Sequence, residues 1–188
     1  MPKLTQVKET KRGRYALFFD GEFAFSLDED TFAMAGLHTG DELEEWQIHD
    51  LQTKSDTRKA VDKAMDLLAL RDHAAGELYQ KLCRSFDPHS AAAAVAKMQE
   101  LNLLDDAGFA RRRAAELLRK RKSRRAILDD LHAKGIDRGV AAEAVEALFA
   151  QSEEDEEENP ELANARALVE RHYAAKLAQG KWQQVAAV

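Results

Sequence analysis

The side chains best suited to chemistry lie between Arg111 and Arg125, where nine basic residues stand against one acid, Glu116, in a chain of net charge -6. Such a concentration points to a polyanion or an acidic protein surface. The candidate contacts are Arg111, Arg112, Arg119, Lys120, Lys122, Arg124 and Arg125. At helical spacing Arg111, Arg112, Arg119 and Lys122 fall outside the apolar stripe. Arg113 and Arg121 sit near its edge, where their stems can lie over a core. The competing reading is a solvated helix face whose cations pair with Asp129, Asp130 or the acidic run at 153–158. Nine against one exceeds ordinary charge mixing, so contact with DNA phosphate or an acidic partner is the preferred reading.

Other chemistry finds little footing. His38, His49, His73, His89, His132 and His172 show no pairing at metal-ligand spacing. Cys83 adjoins the Leu78–Leu82 stripe and reads as a small core residue. Phe18, Phe19, Phe23 and Phe25 could stack on bases, but read as the core of a small sheet. Gly36, Gly40 and Gly135 form no phosphate-cradling loop, and there is no nucleophile with a base and an orienting group. The expectation is a protein that is not an enzyme, with no catalytic residues, metal or cofactor.

These side chains need elements to carry them. The chain has 188 residues, 45% hydrophobic and 33% charged, with three prolines, which favours helix. One cysteine, no apolar run near ~20 residues and no signal-like N-terminus predict a cytoplasmic protein that does not enter membranes. Charge is divided. Residues 1–56 carry 6 basic and 12 acidic side chains, residues 57–150 carry 18 and 14, and residues 151–188 carry 4 and 8.

Leu4–Thr10 and Tyr15–Phe19 read as strands, and Phe23 and Phe25 share one face at period two. A short helix over Asp28–Ala35 ends at Gly36, and a turn at Thr39–Leu43 leads to a short strand and a helix around Glu44–Leu51. Asp56 is placed to cap a new helix through Leu70, with Ala60, Ala64, Leu67 and Leu68 inward. Helices over Ala74–Arg84 and from Asp87-Pro88 follow, with Val95, Met98 and Leu101 inward. The pattern then recurs: Phe109, Ala114, Leu117 and Leu118, then Ile127, Leu128 and Leu131 behind a Ser123 cap, then Ala141, Ala144, Val145 and Leu148 after Ile136-Asp137. Leu82 matches Leu131 at an offset of 49, and Val95 and Met98 match Val145 and Leu148 at 50. A period near 50 with three helices per unit is a repeat architecture.

The predicted fold is mainly α: tandem three-helix repeats forming an elongated array, preceded by a small β-rich N-terminal domain. The expected divisions are 1–53 for the β-rich domain, 54–105 and 106–151 for two repeats, 152–160 for an acidic linker and 161–188 for an incomplete third repeat.

In their order and spacing these residues resemble the RecX family of recombination regulators. The likeness rests on Leu67-Leu68-Ala69-Leu70-Arg71, Glu77-Leu78, Lys81-Leu82 and Leu103–Ala110 in the first unit, and on Ile127, Leu131 and Lys134–Asp137 in the second. The Tyr15–Leu51 segment is similar to the extra N-terminal domain of some members. Two positions depart from the family pattern: His73-Ala74, and Arg84-Ser85-Phe86, which lacks a glycine. The resemblance implies a regulator that binds RecA recombinase filaments on single-stranded DNA and inhibits them, and the chain is expected to be a monomer. The alternative from the residues is a helical-repeat protein that binds nucleic acid directly, without recombinase.

Overall fold

The computed structural model describes residues 1–11, 13–155 and 165–171. They fall into two units: 1–73 with 77–104, and 74–76 with 105 onward. The architecture is mainly helical with a three-stranded antiparallel meander at the N-terminus, as expected.

In the first unit β1 (Leu4–Glu9), β2 (Arg14–Phe19) and β3 (Glu22–Asp28) pair in that order. The pairing register shifts between Leu4 and Gln6 in β1, and the sequence alternation fails again in β3. Leu17 pairs with Phe25, but Phe18 pairs with Phe23, so Ala24 is an extra residue in β3. This bulge reverses the side to which Phe23 points. Phe25 is buried beside Phe19, whereas Phe23 is exposed and meets Phe18 edge-on at 5.7 Å. The expected shared face of Phe23 and Phe25 is thus corrected. The strand expected near Leu43 reduces to a single bridge, Lys3 with Glu42.

Helix α1 (Glu29–Ala35) begins at Asp28, whose carboxylate accepts from the Thr31 N–H and hydroxyl, and ends at Gly36 with φ 58°. Tyr15 stacks on Phe32 at 4.5 Å. Helix α2 then runs unbroken from Glu45 to Leu70, 26 residues, so the expected start at Asp56 is corrected. No Gly or Pro interrupts this stretch, and Asp56 pairs with Lys59 on the helix surface instead. Lys54–Asp50 and Arg58–Asp62 add further i,i+4 support. The boundary expected between residues 53 and 54 falls inside this helix.

One half of α2 completes the sheet core through Leu51, with Leu4, Leu17, Leu27 and Leu43. Further along, Ala60 and Ala64 close a second core with Leu78, Leu82, Ala91, Ala94 and Met98 from α3 (Ala75–Leu82) and α4 (Pro88–Glu100). Between them the buried Ser55 hydroxyl donates to the Ser26 carbonyl, and the Arg14 guanidinium reaches the Ser26 carbonyl at 2.9 Å and Ser55 Oγ at 3.2 Å. Asp87 caps α4 as expected, but Leu101 is 44% exposed rather than inward, because the chain leaves the helix there.

His73, at a position that departs from the family pattern, is buried, 3% exposed. Its Nδ1 lies 2.9 Å from the Arg71 carbonyl and its Nε2 2.8 Å from Lys81 Nζ. The Lys81 ammonium can only donate, so Nε2 accepts, the proton sits on Nδ1 and the ring is neutral. Burial, with the charges of Arg71 and Lys81, holds the imidazole pKa below its ordinary value despite Glu77 nearby. The folded chain therefore resists a proton that the unfolded chain accepts. This stability is present above about pH 6.5 and is lost as pH falls from there through the lower folded value. Thermal melts stepped from about pH 7.5 to 5.5 should show a decline that His73→Gln flattens. Parallel curves for both proteins would remove this role from His73.

The second unit holds α5 (Asp106–Arg119), α6 (Arg124–Ala133) and α7 (Arg138–Asp155), with Ala74 and the start of α3. Asp106 accepts from the Ala75 N–H at 2.8 Å. The core is Ala110, Ala114, Leu117, Ile127, Leu131, Ile136, Ala141, Ala144, Val145 and Phe149. The two repeats align at Ala91 with Ala141 and Ala94 with Ala144, and then diverge by one position. Met98 closes one core, whereas Phe149 closes the other and Leu148 is only partly buried.

Helix α6 stops at Gly135, φ 77°, with Ile136 N–H bonded to the Leu131 carbonyl. Helix α3 closes on turns at Ser85 and Phe86 without a left-handed residue, which is how the missing glycine is accommodated. A Cβ added to Gly76 would lie 2.6 Å from Gly135 Cα and 2.8 Å from its carbonyl oxygen. Neither backbone can yield, so Gly76→Ala should lower the stability of this unit by about 1–3 kcal/mol, read from denaturant unfolding. An unchanged midpoint would mean the two backbones are further apart.

Helix α7 extends through Asp155, so the acidic run begins within it. The rest of the expected linker, and all of the expected third repeat except 165–171, which is helical, lie outside the described residues. Among the described residues no helix is long and apolar enough to cross a membrane. None of their His, Cys, Asp and Glu side chains gather in a group of three or more able to hold a metal.

Candidate functional site

The basic segment folds as the end of α5, a tight turn and the start of α6. Asp105 caps α5 by accepting from the Gly108 N–H at 2.8 Å. Gly108, Ala110, Ala114 and Leu117 form the inward stripe, which leaves Arg111, Arg112 and Arg119 exposed. The helix closes with Lys122 N–H bonded to the Leu117 carbonyl at 3.1 Å and Arg121 N–H to Leu118 at 2.8 Å. This double bond is a Schellman closure, which requires a left-handed residue, and Arg121 takes it with φ 57°. The expectation that Arg121 lies along the helix over the core is therefore corrected: it stands beyond the helix, exposed. Glycine is the usual residue at such a place, and an L side chain there costs about 1 kcal/mol. Arg121→Gly should raise thermal stability by up to about 1 kcal/mol, checked by melting, while removing a cation from the turn.

Ser123 caps α6 as predicted, accepting from the Ala126 N–H. The first turn of α6 holds Arg124 and Arg125 and no acid. Cations at a helix N-terminus oppose the macrodipole instead of offsetting it. The result is a concentration of positive potential from Lys122 to Arg125, of the kind that phosphate relieves.

All seven candidate side chains are exposed. The side chains of Arg111, Arg119, Lys122 and Arg125 make no hydrogen bond or ion pair to other described residues. Lys120 pairs with Glu116, and the Arg124 guanidinium lies 5.5 Å from the centre of the Phe149 ring. Arg113 has another task. Its guanidinium grips Asp130 through two bonds of 2.8 and 2.9 Å and reaches Glu116 at 3.0 Å, tying α5 to α6. The Asp130 bonds, then those of Glu116, hold it firmly protonated against partial burial. Lys120, then Arg113, pull the Glu116 carboxyl below its usual range. The competing reading of the cluster thus holds for Arg113, and the pairing with Asp130 spans 17 residues, beyond the reach of helical periodicity.

Arg113→Met should cost about 1–3 kcal/mol in unfolding free energy, since Asp130 is left partly buried without its fork. A neutral change would mean that solvent and the other contacts of Asp130 satisfy it. Phe149, which carries Arg124 and closes the core, was the residue missed by the sequence reading. Its signal was its place four residues after Val145 on the same helix face.

Comparison with known proteins supplies a family. A family model described as RecX, second three-helix domain, matches residues 105–145, which hold this basic segment. Regulatory protein RecX of Lactobacillus gasseri is 30% identical over 188 residues, covering 99% of this chain and 68% of the relative. Regulatory protein RecX of Caldanaerobacter subterraneus subsp. tengcongensis is 27% identical over 151 residues, 80% of this chain and 77% of the relative. A crystal structure of regulatory protein RecX shares the fold with a TM-score of 0.67 at 21% identity, covering 98% of this chain and 90% of that one. With a relative at 30% identity matched along 99% of this chain and 68% of its own length, the chain belongs to the RecX family of regulatory proteins.

Proposed function

We propose that this protein binds RecA recombinase filaments on single-stranded DNA and inhibits recombinase activity, thereby modulating DNA repair and recombination. Family membership supports the filament as the target. The observation that carries the site is the set of side chains Arg111, Arg119, Lys122 and Arg125, exposed beside a helix start with no acid in its first turn and with no ion-pair partner among the described residues. With Arg112, Lys120 and Arg124 they form the contact face for phosphate or for acidic side chains of the filament. A filament repeats the same surface along its length, so two three-helix cores in one chain can engage it together and gain avidity that a free recombinase monomer does not offer. Occupying that surface obstructs strand exchange.

Cosedimentation tests this directly. The protein should pellet with recombinase–single-stranded DNA filaments far more than with bare DNA, and retention should weaken with salt. Equal retention on bare DNA would favour the direct nucleic-acid reading. The exposed side chains of the face are Arg and Lys, suited to phosphate, without Asn or Gln placed for adenine edges. Failure to pellet with either would sink both readings.

A further inference from the structure

We infer that the N-terminal head carries a second docking site, an acidic apolar groove that takes a cationic, amphipathic segment of a partner protein. The groove lies between the end of α1, the loop that follows and the first turns of α2, with a volume of about 450 Å³. Its floor is Leu37, Leu43 and Leu51, and its rim carries Trp46, Glu42 and Asp50. Trp46 is 69% exposed, although a tryptophan gains from burying its large ring, and it stands where an incoming side chain would cover it.

Charge selects the occupant. Among the described residues no basic side chain lines the groove. Asp50 shares its charge with Lys54, at 2.8 Å with both half exposed, and Asp41 accepts from the His38 N–H. Glu42, and Glu44 and Glu45 at the start of α2, have no cationic partner among the described residues. The surrounding residues 1–56 carry 12 acids against 6 bases. Nucleic acid and anionic lipid are repelled by such a rim. A peptide with Arg or Lys next to Leu or Ile fits, the aliphatic side chain on the floor and the cation between the carboxylates and the Trp46 ring. This is the opposite chemistry from the α5–α6 face, so the inference does not rest on the function proposed for that face.

The test uses the full chain carrying Trp182→Phe, which leaves Trp46 as the sole tryptophan. The probe is a synthetic peptide of about ten residues alternating Lys and Leu, against the same peptide with Glu for Lys. The Lys peptide should shift Trp46 emission to the blue in a saturable, salt-sensitive manner, and the Glu peptide should not. Glu42→Lys with Asp50→Lys, on exposed positions and with folding checked by circular dichroism, should weaken binding by about tenfold or more. No saturable shift, equal binding of the Glu peptide, or indifference to the double reversal would each overturn the site. An emission shift that grows with protein concentration alone would assign the groove to a second copy of this chain, and overturn it equally.

Discussion

Reversing Arg111, Arg119 and Lys122 to glutamate is expected to abolish most filament binding while leaving the melting temperature nearly unchanged. All three are exposed, and none pairs with another described residue, so their removal breaks nothing inside the fold. Exposed charges contribute little to stability. Binding is different, because each phosphate neutralised releases counterions. On a single strand each lost contact should flatten the plot of log affinity against log salt by ~0.7, so about two units for three contacts. Affinity at low salt should fall by about 10²-fold or more. The measurement is filament retention across a salt series, with Arg113→Met as the contrast, which should lose stability before it loses binding. Undiminished retention with an undiminished slope would move the site away from α5.

The second large effect is in the core. Leu131 is fully buried on α6, among Ile127, Ile136, Val145 and Phe149 of the same cluster. Leu131→Ala should cost about 2–5 kcal/mol, the transfer loss plus the cavity that a packed helix pair does not fill. Denaturant unfolding followed by circular dichroism reads it. A loss below about half a kcal/mol would place Leu131 at the surface and the helix out of register.

The contrast between these two residue sets marks what the chain's local pattern discloses. Helix starts at Asp28, Asp87 and Ser123 are readable because a cap acts over two or three residues, and the structure keeps each of them. The inward face of α6 follows from spacing alone, whereas on α5 spacing finds Ala114 and Leu117 but not Gly108 and Ala110, and Phe109 and Leu118 are only partly buried. Asp56 misleads because a cap-forming residue is also a good surface partner for Lys59, and only packing on both sides decides between them. The bulge at Ala24 is invisible to a period-two reading, since one extra residue inverts everything beyond it. Arg121 in a glycine's conformation, and Arg113 locked to Asp130, depend on how the chain returns after the turn. Within the candidate site the charge was legible, and the division of labour among the arginines was not.

Helix α2 has one further consequence. Leu51 belongs to the core of the sheet, and Ala60 and Ala64 to the core of the first three helices, on one uninterrupted rod of 26 residues. At 1.5 Å per residue that is about 39 Å of helix with no hinge in it. A pull on the head is therefore delivered as torque to the helices behind it, and cannot be absorbed by a bending linker. The backbone amides in the middle of α2, around Ser55, should exchange with solvent only when both cores open together. Head and first repeat would then yield to force in a single step, and an engaged head would act as a lever on whatever the first repeat holds.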